Sequence, residues 1–530
     1  MSDFYQQPPR LENAYDSDPL LRAFLERRLP ADELVEVDRE LHRFGERVIG
    51  EIARWGDEAE SQPPRHIPYD PWGRRVDDIC VSDGWRALDR ASAEEGLVAI
   101  GYERRYGERS RLHQMAKLYL FHPSSATYSC PLAMGDGAAR FLEVYGDRND
   151  ERVRAAFTHL TSRDPADFWT AGQWMTERSG GSDVSQTSTI ARRDDANGCF
   201  RLSGTKWFTS ATTSQMALTL ARIEGAPAGG RGLSVFLVEL RDATGALRGI
   251  RINRLKDKLG TRALPTAELT LDGAPARLVG GEGDGVRKIA TLFNVTRVYN
   301  AVAAVGGMRR AIALANAYAR VRVAFGERLI DHPLHRATLL DLEARCRLCF
   351  FLAFRVVELI GKEECGTATD AELAMLRLLT PVAKLYTAKQ AVIVASEVLD
   401  AFGGAGYIED TRLPRLLRDA QVLPIWEGTT NVLSLDVWRA IERTGAFEPW
   451  RDDVADRLER ARGKGGRHVT PLLGMLSEVT HTVKLEDAAL RAAGARELAF
   501  GIARITGALG MLEFSADAAA DENIERALRG

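Results

Sequence analysis

Residues 199–211 read Cys-Phe-Arg-Leu-Ser-Gly-Thr-Lys-Trp-Phe-Thr-Ser-Ala. Aromatic and β-branched residues alternate here with polar ones, which is the period of a half-buried strand and not of a helix. The stretches that follow have the same character: MALTLARI, LSVFLVEL, GIRINRL and AELTLDG are short apolar or alternating runs, punctuated by Gly, Pro, Asp and Asn. Together they predict a compact β domain over about 172–280. On both sides the pattern changes. Upstream, Leu34, Val37, Leu41, Phe44 and Val48 recur at helical spacing, and the helical period is interrupted by SQPPRHIPYDPWGRR. Downstream, three long helical segments are expected at 286–324, 334–362 and 380–402, the last with Thr380 as N-cap, Pro381 in its first turn and a stop at FGGAGY.

Helices, then strands, then helices is not the interleaved order of a dinucleotide-binding α/β fold. Neither GxGxxG after a strand nor GxxxxGK[ST] occurs, so a Rossmann crevice and a P-loop are excluded as the nucleotide site. The fold class is α+β: an N-terminal helical domain (1–171), a central β-barrel or sandwich (172–283), a C-terminal helical bundle (284–445) and a helical C-terminal extension (446–530).

Composition fits a soluble multidomain protein. Of 530 residues, 45% are apolar and 27% charged, with a net charge of −3 that argues against a surface coated for nucleic acid. No run is long and apolar enough to span a membrane, and the polar, acidic start does not read as a signal peptide, so a cytoplasmic protein is expected. Six scattered cysteines do not form a disulfide framework. Cys346 and Cys349 make a lone CxxC, which on a helix is core packing, and no metal site is expected.

Several motifs carry chemistry. MTERSGGSDVS (175–185), GTKWFTSA (204–211), RVAFGERLI (322–330), FGGAGY (402–407) and RDAQVLPIWEGTTNVLSLDVWR (418–439) resemble, in this order, the signatures of the acyl-CoA dehydrogenases. YDPWGRRVDDI, RLKDKLGTR and the C-terminal extension resemble the AidB-like branch in particular, named for a bacterial alkylation-response protein. The resemblance implies a flavoprotein with FAD, an acyl-CoA or related thioester as substrate, and a homotetramer whose FAD site is shared between subunits. The electron acceptor stays open between an electron-transfer flavoprotein and oxygen.

The resemblance also assigns roles. Glu427, in the WEG motif, matches the base that removes the proton beside a thioester carbonyl while hydride leaves the neighbouring carbon for flavin N5. Such a proton is weakly acidic, so the base has to be dried and the carbonyl hydrogen-bonded. Ile425 and Trp426 supply apolar surroundings, and Gly428 leaves room for close approach. Thr296, before Arg297, stands where other members carry the base and has no carboxylate. Asn294 stands where straight-chain members carry an Asp near the CoA, so Asn294, Arg297, Trp426 and Gly428 are the substrate-side candidates.

For FAD, the resemblance points to Met175, Thr176 and Ser182 along the isoalloxazine and pyrophosphate, and to Phe208 and Ser210 behind the ring. It also points to Arg322 and Phe325 reaching a neighbouring subunit's flavin, to Gly403 and Gly404 near its adenosine end, and to Thr429 and Asn431 after the base. A glycine turn, an alternating strand and a helix C-cap would write several of the same letters.

The AidB-like branch raises DNA association, which needs clustered cations. Residues 445–530 hold twelve Lys and Arg against fourteen Asp and Glu, and only Arg457, Arg460, Arg462, Lys464 and Arg467 are locally basic. A DNA-associated protective role and an oxidase acting on a non-CoA small molecule are the alternatives to dehydrogenation.

Overall fold

The computed structural model describes residues 6–462, 468–514 and 518–529. It comprises two compact units that do not follow the chain in consecutive blocks: one gathers 1–50, 104–123 and 300–530, the other 51–103 and 124–299.

The second unit is built on a barrel. Its strands are β3 (Ala171–Trp174), β4 (Ile190–Asp194), β5 (Cys199–Ser210), β6 (Met216–Ile223), β7 (Leu233–Glu239), β8 (Ile250–Leu255) and β9 (Thr266–Val279), after an N-terminal hairpin of β1 (Arg65–Tyr69) and β2 (Arg75–Cys80). The order β3-β6-β4-β5-β9-β7, with β7 also paired to β6, closes the sheet and leaves few free edges. Phe200, Leu202, Phe236, Ile252 and Leu269 fill one side. The opposite side of β6 and β7 packs through Leu218, Leu220, Val235 and Leu237 on Phe141, Leu142, Ile289 and Leu292 of the helices Ser129–Tyr145 and Gly285–Val321. The hairpin falls in the stretch whose sequence reads only as a break. Its turn is set by Asp70, whose Oδ1 accepts from the backbone N–H of Trp72 and Arg74, both at 2.9 Å, and it is tied to β8 by Arg75 Nη2 on the Ile252 carbonyl at 2.7 Å.

The first unit is helical. Its long helices are the second part of Gly285–Val321, then Pro333–Cys365 and Asp370–Ala401. The last differs from the sequence expectation: it starts ten residues before Thr380, capped by Thr369 in a reciprocal box with Glu372, and Pro381 lies inside it. Thr-Pro is a good helix start when exposed, but here Thr380 is buried and its hydroxyl turns back onto the Leu376 carbonyl at 2.8 Å. Cys346 and Cys349 are fully buried in Pro333–Cys365, and burial pushes the Cys346 thiol up to about 12.

The extension packs on the helices of its own unit. Helix Ala488–Phe514 approaches Pro333–Cys365 so closely that a Cβ on Gly507 would lie 2.6 Å from the Leu348 carbonyl. Phe514 and Phe351 lie 4.9 Å apart between ring centroids, and Phe24 stacks on Phe514 at 5.5 Å. Such pairs add about 0.5–1.5 kcal/mol each to the burial term. Of the basic cluster, Arg457 is buried and paired with Glu513 at 2.6 Å, so it offers no phosphate contact, while the exposed Arg462 meets Glu459 at 3.1 Å. Lys464 and Arg467 lie outside the described residues. Among the described residues no helix is long and apolar enough to cross a membrane, and no group of three metal-ligating side chains occurs.

Candidate active site

In the helical unit, Glu427 follows helix Pro414–Ala420 and precedes helix Thr430–Thr444. It is half-buried, with φ +58°, and the next residue, Gly428, has φ +103°. Two successive left-handed residues are uncommon, and for a glutamate the conformation costs about 1 kcal/mol or more, so the surroundings must hold it. They do so on both sides. The Trp426 indole N–H donates to Asn300 Oδ1, and the Lys384 ammonium, buried in helix Asp370–Ala401, donates to the Gly428 carbonyl at 2.7 Å. A Cβ at Gly428 would meet Leu433 Cδ2 at 2.8 Å, so glycine is needed there for backbone and space alike. Ile425 is exposed, while Trp426 is half-buried.

Thr429 is the N-cap of Thr430–Thr444, yet its hydroxyl makes no cap hydrogen bond, and both Thr429 and Asn431 are exposed. A helix start with unserved N–H groups and a spare hydroxyl suits a phosphate or a carbonyl. Arg322 and Phe325 lie on a small hairpin, Val323–Ala324 with Glu327–Arg328, whose turn has φ +53° at Phe325 and +89° at Gly326. Phe325 is 100% exposed. Arg322 is half-buried, 3.4 Å from Gln6 Oε1. Gly403 (φ +60°) ends the helix Asp370–Ala401, and a Cβ at either Gly403 or Gly404 would meet nothing within 4 Å, so these glycines face open space. A cavity of about 980 Å³ in this unit is lined by Tyr119, Gly306, Arg309, Arg320 and Leu339 and does not include Glu427.

In the barrel unit, Met175 is buried directly after β3 and the Thr176 carbonyl accepts from Trp207 N–H at 3.0 Å. The chain then turns tightly at Glu177–Gly180, and Ser182 is exposed. A Cβ on Gly181 would lie 2.5 Å from Thr176 Oγ1, so this turn leaves no space for a side chain beside the threonine hydroxyl. Phe208 presents a 56% exposed ring, and Ser210 Oγ lies 3.1 Å from Thr266 Oγ1. Exposed hydroxyls along a turn and an unburied aromatic plane on an adjacent strand form a donor set and platform that fit an isoalloxazine and its pyrophosphate. Asn294 and Arg297 are half-buried on Gly285–Val321, in the part belonging to the barrel unit, and Thr296 is buried with its hydroxyl on the Phe293 carbonyl at 3.0 Å.

Four residues escape the sequence reading. Lys384 and Asn300 are two. The others are Glu177 and Lys206, both buried, with Lys206 Nζ 2.9 Å from Glu177 Oε1 and 2.9 Å from the Leu220 carbonyl. The Glu177 carboxylate also accepts from Ser188 N–H (2.7 Å) and Oγ (2.6 Å), and from Thr189 N–H (3.2 Å) and Oγ1 (2.5 Å). Burial alone would push this carboxyl up. Lys206 first, then Ser188 and Thr189, outweigh it and hold the group at about 2. The pair thus fixes both ends of the turn that carries Thr176 and Ser182. The glutamate within MTE and the lysine within GTKWF were its only sequence signal.

Residues 283–442 match the acyl-CoA dehydrogenase C-terminal domain, 172–274 the acyl-CoA dehydrogenase middle domain, and 6–164 the adaptive response protein AidB N-terminal domain. The chain is 44% identical to acyl-CoA dehydrogenase family member 11 of Caenorhabditis elegans, over 99% of this chain and 88% of that one. It is 32% identical to putative acyl-CoA dehydrogenase AidB of Escherichia coli, over 83% and 80% respectively. The solved structure of C. elegans ACDH-11 in complex with C11-CoA superposes with a TM-score of 0.95 at 44% identity, covering 100% of this chain and 92% of that one. The chain belongs to the acyl-CoA dehydrogenase family of FAD-dependent oxidoreductases acting on CH–CH groups, with an AidB-type N-terminal domain.

Proposed function

We propose that the protein catalyses α,β-dehydrogenation of an acyl thioester, with Glu427 as the base that takes the α-proton. The observation that carries this is the clamped, left-handed Glu427–Gly428 pair: a carboxylate is held at a backbone cost by an indole N–H on one side and a buried ammonium on the other. FAD, when bound, supplies the hydride acceptor. Trp426 is fixed by Asn300 directly before the carboxylate, and a base for a weakly acidic proton has to be kept from water. Lys384 keeps the Gly428 peptide from relaxing and so keeps the carboxylate aimed. Asn294 and Arg297 are the substrate-side groups on the long helix. Met175, Thr176, Ser182, Phe208 and Ser210 hold the flavin, and Thr429 and Asn431 line the helix start beside the base.

Arg322, the exposed Phe325 and Gly403–Gly404 serve a neighbouring copy's cofactor in a homotetramer; a fully exposed phenylalanine on a two-residue turn supports that reading. A relative bound to C11-CoA supports a CoA thioester of intermediate chain length. Electrons then pass to an electron-transfer flavoprotein. The DNA reading is weaker, because Arg457 is buried against Glu513 and residues 445–530 carry more acidic than basic side chains.

The test is anaerobic titration of the yellow protein with acyl-CoA thioesters of different length and branching. One class should bleach the visible flavin band, and Glu427→Gln should abolish the bleaching while retaining FAD. A flavin that stays oxidised with every thioester would overturn the assignment.

A further inference from the structure

The GTKWF strand carries a charge arrangement that the reaction described above does not use. The Lys256 ammonium lies 3.5 Å from the centroid of the Trp207 ring and 4.7 Å from that of Phe208. Its side chain is 11% exposed, its backbone N–H is fixed on the Thr266 carbonyl at 2.8 Å, and Nζ is 2.6 Å from Glu268 Oε1. Glu268 is shared: Arg254 Nη2 reaches the same oxygen at 2.7 Å, but from a 64% exposed side chain. Two cations thus face one carboxylate, and the better shielded of the two is the one beneath the aromatic pair. The Arg178 guanidinium covers Trp207 at 5.7 Å and reinforces the positive side.

We propose that Lys256 tunes the reduction potential of the bound flavin upward, and that Glu268 moderates it. The inference rests on the reading that FAD packs on Phe208. A reduced isoalloxazine carries additional negative charge at neutral pH, so a fixed cation behind its supporting ring favours the reduced form. A site shielded from water preserves that effect, whereas exposed charges are screened. Cation–π contact with both rings and the salt bridge to Glu268 keep the ammonium from swinging into solvent. Lys256 is therefore a positioning and tuning residue that acts through Phe208, not a catalytic one.

The two members of the pair give opposite predictions. Lys256→Met removes the cation and leaves Arg254 and Glu268 as a neutral pair, so the reduced-to-oxidised equilibrium should fall about tenfold, equivalent to about 30 mV more negative for a two-electron couple. Glu268→Gln leaves both cations uncompensated and should move the potential the other way by a similar amount. The measurement is the midpoint potential of the purified holoprotein against a reference dye, with FAD content and thermal stability recorded alongside. A residue that only packs would alter FAD content or melting without setting the sign of the potential. Opposite shifts support the proposal. Shifts in one common direction, or less than a twofold change in equilibrium for both variants, overturn it. Should Lys256→Met fail to retain FAD, the positive shift in Glu268→Gln is still required, and its absence overturns the proposal. A parent protein that takes up no FAD would sink the functional reading itself, which a yellow parent with unmoved variants would not.

Discussion

Replacing Lys206 by Met tests how the Glu177–Gly180 turn is held. The parent buries an ion pair in which Glu177 accepts from Lys206, Ser188 and Thr189. Lowering a carboxyl from an ordinary 4.5 to about 2 corresponds to about 3 kcal/mol of stability at neutral pH. The folded value is depressed, so this stability is present above pH 4.5 and is lost as pH falls toward 2. Burial pushes the Lys206 ammonium the opposite way from its partner's demand, so the net worth of the pair is smaller than that of Glu177 alone. Removing one member, however, strands the other. Lys206→Met leaves a buried carboxylate with hydroxyl and amide donors only, which costs about 3–5 kcal/mol, or roughly 6–20 °C in melting temperature for a unit of this size. The double variant Glu177→Leu/Lys206→Met should recover part of the loss, because no uncompensated charge remains. Thermal unfolding followed by circular dichroism at pH 7 and pH 4 is the assay, and the deficit of Lys206→Met should shrink at the lower pH. A drop under 2 °C, or a double variant no better than Lys206→Met alone, would refute the reasoning.

Three further expectations follow from particular residues. Gly428→Ala should cost about 1–3 kcal/mol through its +103° φ and the approach to Leu433, and should lower turnover at least tenfold by displacing Glu427; thermal melts and flavin bleaching rates read both. Thiol labelling of the native protein should modify Cys80, Cys199 and Cys365 and spare Cys130, Cys346 and Cys349, which react only after unfolding; mass spectrometry of the labelled peptides decides. Phe325→Asp should leave the melting of the isolated chain within about 0.5 kcal/mol, since the ring touches solvent, while shifting the proposed homotetramer toward smaller species in light scattering.

The order of helices, barrel and helices was legible because period 2 and period 3.6 differ over windows of a dozen residues, and 199–211 marks the change plainly. Thr380-Pro381 misled because a helix start and a buried mid-helix Thr-Pro have the same letters, and only the capping box at Thr369 and Glu372 separates them. The hairpin at 65–80 was missed because its strands are short and its turn rests on a single carboxylate, Asp70. At the candidate site, the motif points to Glu427 as the base, but not to its backbone conformation. Nor could its clamps be read: Lys384 and Asn300 lie 44 and 126 residues away from their partners in the chain, and no local pattern encodes such contacts.

Those clamps explain why a carboxylate stands between a tryptophan and a glycine. A base on a regular helix would need no support, but its side chain would follow the helix face. At φ +58° the Glu427 side chain leaves the chain at an angle that right-handed backbone does not offer, and Gly428 allows the chain to re-enter helix Thr430–Thr444 within two residues. The cost is local and the support is remote: one indole N–H on one side, one buried ammonium on the other. Losing either hydrogen bond should therefore let Glu427 relax toward an ordinary turn while the fold persists. For Trp426→Phe this means folded protein with normal flavin content, and a bleaching rate that falls much more than stability does.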